Sequence, residues 1–122
     1  MRKKIMINGF ASMSDNECLL QVGPEINLDG IIATGQMLVD SDECAFVYLL
    51  EKEQDYTYVI IQEPVWTDLK RVLAGNLRVF LGNEEERIEL VNFLDELAYL
   101  IENIKGNSNY GEIMVAKVEE IF

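Results

Sequence analysis

Residues 44–51, CAFVYLLE, and residues 56–62, YTYVIIQ, decide the fold class, with the polar tetrad 52–55 (KEQD) between them. In the first run Cys44, Phe46, Tyr48 and Leu50 alternate with Ala45, Val47 and Leu49, so both faces are apolar. That pattern predicts a central strand covered on both sides. The second run is rich in aromatic and β-branched residues, which suit a pleated surface. Together they predict a β-hairpin at the centre of a sheet.

Towards the N-terminus, residues 3–9 (KKIMING) and 17–22 (ECLLQV) read as a further strand pair around a loop from Phe10 to Asn16. Residues 23–33 read as irregular, with Gly23-Pro24 and Asp29-Gly30 as turn signals. Towards the C-terminus, Pro64 suits the first turn of a helix carrying Val65, Leu69, Val72 and Leu73 on one face, with Trp66 on its flank. Residues 77–82 and 86–91 predict a third hairpin around Asn83-Glu84-Glu85. A helix follows, with Asn92 and Asp95 as a capping pair and Leu94, Leu97, Ala98, Ile101 and Ile104 as its buried stripe. Gly106 suits the position after it. Asn109 is placed to cap a last helix over 110–121. The expected fold is α+β: a mostly antiparallel sheet of about six strands in three hairpins, and about three helices, two of them C-terminal. The 122 residues fit a single domain spanning 1–122.

Charge excludes several functions. Ten Lys and Arg face 22 Asp and Glu, a net charge of -12, divided evenly between the two halves of the chain. The basic run Arg2-Lys3-Lys4 is too short to displace counterions along a nucleic-acid backbone, so neither nucleic acid nor an anionic membrane is expected as a partner. The longest uncharged windows, 5–14 and 30–39, are about half a membrane span. Asn8, Gly9 and Ser12 interrupt the first, against a signal peptide. A cytoplasmic location is expected.

The chain has no histidine, which removes Ser-His-Asp and Cys-His catalysis and imidazole-ligated zinc. Cys18 and Cys44 lie 26 positions apart, form no metal knuckle, and sit in apolar runs as expected free, buried thiols. The segment 106–111, GNSNYG, has the glycine spacing of a phosphate loop, but Glu112 stands where that loop needs Lys, and a helix rather than a strand feeds it. A helix-to-helix turn is the better reading. Asp40-Ser41-Asp42-Glu43 has the donors of a calcium loop, yet the chain turns apolar after Glu43, so a solvated turn is expected. Glu84-Glu85-Glu86 reads as a polar hairpin tip. No catalytic residue, metal or cofactor is implied.

Two runs, 34–51 (TGQMLVDSDECAFVYLLE) and 97–111 (LAYLIENIKGNSNYG), resemble the YjbL-type family of small uncharacterised proteins from Gram-positive, spore-forming bacteria. The resemblance covers nearly the whole chain. It implies a bacterial cytoplasmic origin and carries over no activity or site residue.

One oddity points to binding. Tyr99 and Leu100 lie off the stripe of their helix, giving a wider apolar arc than one-sided packing needs. Either the last helix covers that second face or a partner does, and the apolar end Ile121-Phe122 admits the same two accounts. The expected function is a non-catalytic protein-interaction or regulatory module, with a protein partner or a homodimer. Its candidate contact residues are Tyr99, Leu100, Tyr110 and Trp66. The alternatives are a small-molecule-binding domain or a minor carboxylate-based enzyme, and an acidic inhibitor that covers a basic surface.

Overall fold

A computed structural model describes residues 3–7, 12–83 and 85–122. Arg2, the segment 8–11 and Glu84, which enter the expected basic run, first strand and loop, and hairpin tip, lie outside the described residues. The described residues form eight strands and three α-helices. The strands are β1 (Lys3–Ile7), β2 (Ser12–Met13), β3 (Glu17–Gln21), β4 (Ile32–Asp40), β5 (Ala45–Lys52), β6 (Asp55–Gln62), β7 (Arg78–Gly82) and β8 (Arg87–Glu89). The helices are α1 (Trp66–Gly75), α2 (Phe93–Ile104) and α3 (Glu112–Ile121). The α+β class is as expected, with helices gathered towards the C-terminus.

The strands divide into two four-stranded sheets, ordered β1-β6-β5-β4 and β2-β3-β7-β8. Four of the six strand pairings are antiparallel; β1 with β6 and β3 with β7 are parallel. The expected first hairpin therefore does not form. Its two strands join different sheets, each lying beside a strand that comes more than fifty residues later. Burial decides this outcome: Ile5 and Ile7 extend the inner face of β6, while Cys18 and Leu20 extend that of β7.

The central hairpin β5–β6 is as read. Its turn places Glu53 (φ 52°) and Gln54 (φ 71°) in the left-handed region, the arrangement whose twist matches two right-twisted strands. Strand β4 occupies residues expected to be partly irregular. Its register shifts between Ala33 and Met37, where Gly35 takes a φ of 77°. Thr34 secures the bulge by donating its hydroxyl to the Leu49 carbonyl (2.7 Å).

The inner faces of both sheets and one stripe from each helix meet in one core. Phe46, Tyr48, Leu50, Val59 and Ile61 come from the first sheet, Cys18, Leu20, Val79 and Leu81 from the second. Leu69 and Val72 of α1, Leu97, Ile101 and Ile104 of α2, and Met114 and Val118 of α3 close it. Pro64 opens a short 3-10 turn ahead of α1, where a missing N–H costs nothing.

Two helix caps differ from expectation. Asn92 takes a left-handed φ of 63° and turns its amide away from the helix to donate to the Gly35 carbonyl (3.2 Å). Asn107, rather than Asn109, accepts a backbone N–H in the α2–α3 connection (3.1 Å), and Gly111 leads directly into α3. No described helix is long and apolar enough to cross a membrane.

Candidate functional site

The two sheets differ in how their outer faces are finished. On the second sheet Phe80 points outward from β7, and two arginines close over it. The Arg78 and Arg87 guanidinium carbons lie 5.1 and 4.2 Å from its ring centroid. Arg78 pairs with both carboxylate oxygens of Glu89 (3.1 and 2.8 Å), and Arg87 pairs with Glu17 (3.0 Å). The Glu89 carboxyl is held below its ordinary range by its bond from Arg78, and the Arg78 guanidinium is raised by the same contact. The two guanidinium groups themselves cover the ring, a cation–π arrangement, while their carboxylate partners keep them paired. Phe80 is buried as a result. This is a sheet face completed for solvent.

The first sheet is finished differently. Strand registers put Ala45, Val47 and Leu49 of β5 on its outer face, beside Tyr56, Tyr58 and Ile60 of β6, Met6 of β1, and Ile32 and Leu38 of β4. Ala45, Val47, Leu49 and Ile60, with Tyr58 against them, make an apolar cluster separate from the main core. All four are buried, and no described helix contributes a residue to the cluster. Around them Met6 (49%), Ile32 (62%), Leu38 (51%) and Tyr56 (47%) are exposed. These are four of the seven large hydrophobic side chains exposed among the described residues. Residues 45–50 of β5 are thus buried on both faces, as expected, with helices packed on the inner face alone among the described residues.

The charged residues that the registers put on this face are Lys4 on β1, Asp40 on β4 and Glu51 on β5. They stand at the edges and strand ends. A shallow depression of about 560 Å³ runs between Lys4 and the Asp40–Asp42 corner, floored by Leu38, Val47, Tyr58 and Ile60. Asp40 also accepts the Glu43 amide (3.2 Å), so the acidic segment 40–43 is the turn of the β4–β5 hairpin, as expected.

The residues singled out in the sequence do not gather into one surface. Trp66 is fully buried, contrary to its reading as a contact residue. Its ring lies 5.0 Å from Phe46 and 6.0 Å from Phe122, and its indole N–H donates to the Ile61 carbonyl (3.2 Å). Phe122 is thereby packed on the core, which answers the question of the apolar chain end. Leu100 and Tyr110 are half-buried and pack on the core, whereas Tyr99 is 64% exposed. The outer face of the first sheet was missed because the both-sided apolar pattern of 44–50 reads as a strand buried between layers. Exposed Ile32, Leu38 and Met6 carry a signal only once the strand registers are known.

Other candidates resolve structurally. In the 106–111 segment the Gly106 amide donates to the Glu119 carboxylate (2.8 Å), so an acidic side chain already occupies the place a phosphate would need. Both cysteines are free; Cys18 is buried and Cys44 half-buried. Burial, with Asp68 nearby, pushes the Cys18 thiol up to about 11, so it stays protonated and poorly nucleophilic near neutral pH.

Comparison with known proteins agrees with the resemblance. Residues 6–122 match the model of UPF0738, described as a family of unknown function. A UPF0738 protein of Geobacillus sp. (strain WCH70) is 41% identical over 122 residues, covering all of this chain and 98% of the relative. The UPF0738 protein YjbL of Bacillus subtilis is 46% identical over 112 residues, 92% of each chain. A UPF0738 protein of Bacillus licheniformis is 53% identical over 88 residues, 72% of this chain and 73% of the relative. No solved structure matches the chain.

Proposed function

The chain belongs to the UPF0738 family, and from that starting point we propose that it is a non-catalytic protein-interaction or regulatory module of the bacterial cytoplasm. The observation that carries this reading is the outer face of the first sheet, where Met6, Ile32, Leu38 and Tyr56 are exposed around an apolar floor. Monomeric soluble proteins rarely leave a contiguous apolar patch of more than a few hundred Å² in water. The second sheet of the same chain supplies the contrast, because its outward phenylalanine is roofed by paired arginines.

The test is native purification from cell extract at low salt, with particle mass by light scattering, for the wild type beside Leu38→Lys. The wild type is expected to travel as a particle heavier than 14.0 kDa and the variant to lose the added mass. A 14.0 kDa particle in both preparations would sink the reading.

A second reading, small-molecule binding, draws on a depression of about 700 Å³ lined by Lys3, Glu25, Asn27, Lys52 and Thr57 among others. Thr57 is the one buried polar residue of the described chain. A bound metabolite at 100 times its dissociation constant would stabilise the fold by about 2.7 kcal/mol. A melting temperature that no metabolite raises would count against it.

A further inference from the structure

We propose that the occupant of the outer face of the first sheet is a second copy of this chain, stacked face to face about a two-fold axis. The proposal rests on the interaction reading above and names the partner.

Three observations select a like copy. The first is charge. The chain carries a net charge of -12, and two such molecules repel wherever their acidic surfaces meet. The registers put Lys4, Asp40 and Glu51 on this face and Asp42 lines its depression, a net of -2 out of -12. Very little of the chain's acidity lies here, so an equally acidic molecule can approach this face with little repulsion.

The second is self-complementarity. A two-fold interface sets residue i against j and j against i, so a patch with opposite charges at opposite edges matches itself. Lys4 lies on β1 and Asp40 on β4, the two edge strands of the sheet, with the apolar depression between them. A two-fold axis in the plane between two stacked sheets carries each Lys4 towards the Asp40–Asp42 corner of the other copy. Exposed Met6, Ile32, Leu38 and Tyr56 then fill the space between the floors, as side chains do where sheets pack about 10 Å apart.

The third is area. Four strands about 4.8 Å apart, with central strands of eight residues at about 3.3 Å each, outline a face of about 500 Å². Counted on both copies that is about 1,000 Å², the size at which specific association begins. It fits a reversible dimer rather than an obligate one.

The experiment joins mass and proximity. Purified wild type at high concentration in physiological salt is expected at twice 14.0 kDa by sedimentation equilibrium, dissociating on dilution. Leu38→Lys and Ile32→Lys, each at a position more than half exposed, are expected at 14.0 kDa with unchanged circular dichroism. Tyr99→Lys, on α2, is expected to keep the wild-type mass. Two variants are used so that if one fails to fold, the other decides. In cells, benzoylphenylalanine at position 38 is expected to cross-link to this same chain on irradiation. A wild type that stays at 14.0 kDa, or a doubled mass that survives both lysine variants, overturns the proposal. A cross-link to a different protein also overturns it while leaving the interaction reading standing. A monomer with no cross-link at all removes both.

Discussion

Tyr48 of β5 donates its phenolic hydrogen to the carbonyl oxygen of Val91, 43 residues later, at 2.6 Å. The Tyr48 hydroxyl oxygen in turn accepts the Gly35 amide at 3.1 Å. One buried hydroxyl therefore joins the β4 bulge, the central strand and the entry to α2. Asn92 adds a fourth link by donating to the Gly35 carbonyl. The ring stacks on Phe93 with centroids 6.0 Å apart. Burial, with Glu89 and Glu96 nearby, pushes the phenol up to about 12 against the lowering effect of the Gly35 amide. It stays protonated and able to donate.

Tyr48→Phe keeps the ring and removes both bonds, leaving the Val91 carbonyl and Gly35 amide without that partner. Both bonds are partly buried, and an ordinary intramolecular hydrogen bond contributes about 0.5–1.5 kcal/mol. Urea unfolding of the variant is expected to show a loss in that range with an unchanged denaturant slope. A loss below about 0.5 kcal/mol, the low end for one ordinary hydrogen bond, would show that water replaces the hydroxyl.

Glycine-to-alanine changes are expected to have opposite signs at two positions. At Gly82 a Cβ would lie 2.3 Å from the Glu86 carbonyl oxygen and 2.5 Å from the Arg87 Cα, both backbone atoms of the facing strand and its turn. Neither can step aside, and overpacking of this kind costs about 1–3 kcal/mol. At Gly75, the last residue of α1, the nearest atom is the end of the Leu77 side chain at 3.1 Å, so a shift of that side-chain end by a few tenths of an ångström makes room. There alanine is expected to gain up to about 1 kcal/mol from helix preference and a less flexible unfolded chain. Melting temperatures of the two variants should move apart. Two shifts of the same sign would refute this.

Cys18 gives a pH dependence. Its thiol is raised in the folded state from 9.0 to about 11, chiefly by burial, so folding favours the protonated form. The stabilisation is complete below pH 9 and is lost as pH rises from 9 towards 11. The slope approaches about 1.4 kcal/mol per pH unit. Tyr48, raised above 10.0, adds its own loss only at higher pH. Unfolding measured at pH 8, 9 and 10 is expected to fall more steeply for the wild type than for Cys18→Ala. Parallel curves would mean that the thiol is not what titrates.

The sequence was most legible where local pattern and tertiary environment agree. Residues 56–62 are rich in the aromatic and β-branched residues that strands favour, and Glu53-Gln54 turn within the polar tetrad 52–55 that separates two apolar runs. The helix over 93–104 follows from the stripe Leu94, Leu97, Ala98, Ile101 and Ile104, of which Leu97, Ile101 and Ile104 are buried, Leu94 is half-buried and Ala98 is exposed. Strand β4 was obscured because its bulge around Gly35 inserts two extra residues opposite β5 and breaks the period-2 signal. The partners of β1 and β3 were not readable, since parallel pairing across more than fifty residues leaves no local trace. Trp66 was misplaced because, at the start of a helix, the side it faces depends on what Phe46 and Phe122 do elsewhere. The outer face of the first sheet was hidden in a pattern that cannot separate a strand between two layers from one with a single layer of cover.

The two parallel pairings set a timetable for synthesis. Lys3 lies opposite Thr57, and Glu17 opposite Arg78. A ribosome adds about 5–20 residues per second. Each N-terminal strand therefore emerges roughly 3–12 s before the strand that will hold it. During that interval the hairpins β4–β5–β6 and β7–β8 can form as local units, while Ile5, Ile7, Cys18 and Leu20 have only solvent or a chaperone to meet. Completing either sheet is a late act of the nascent chain, and β1 and β3, made well before their partners, are among the last elements to be secured.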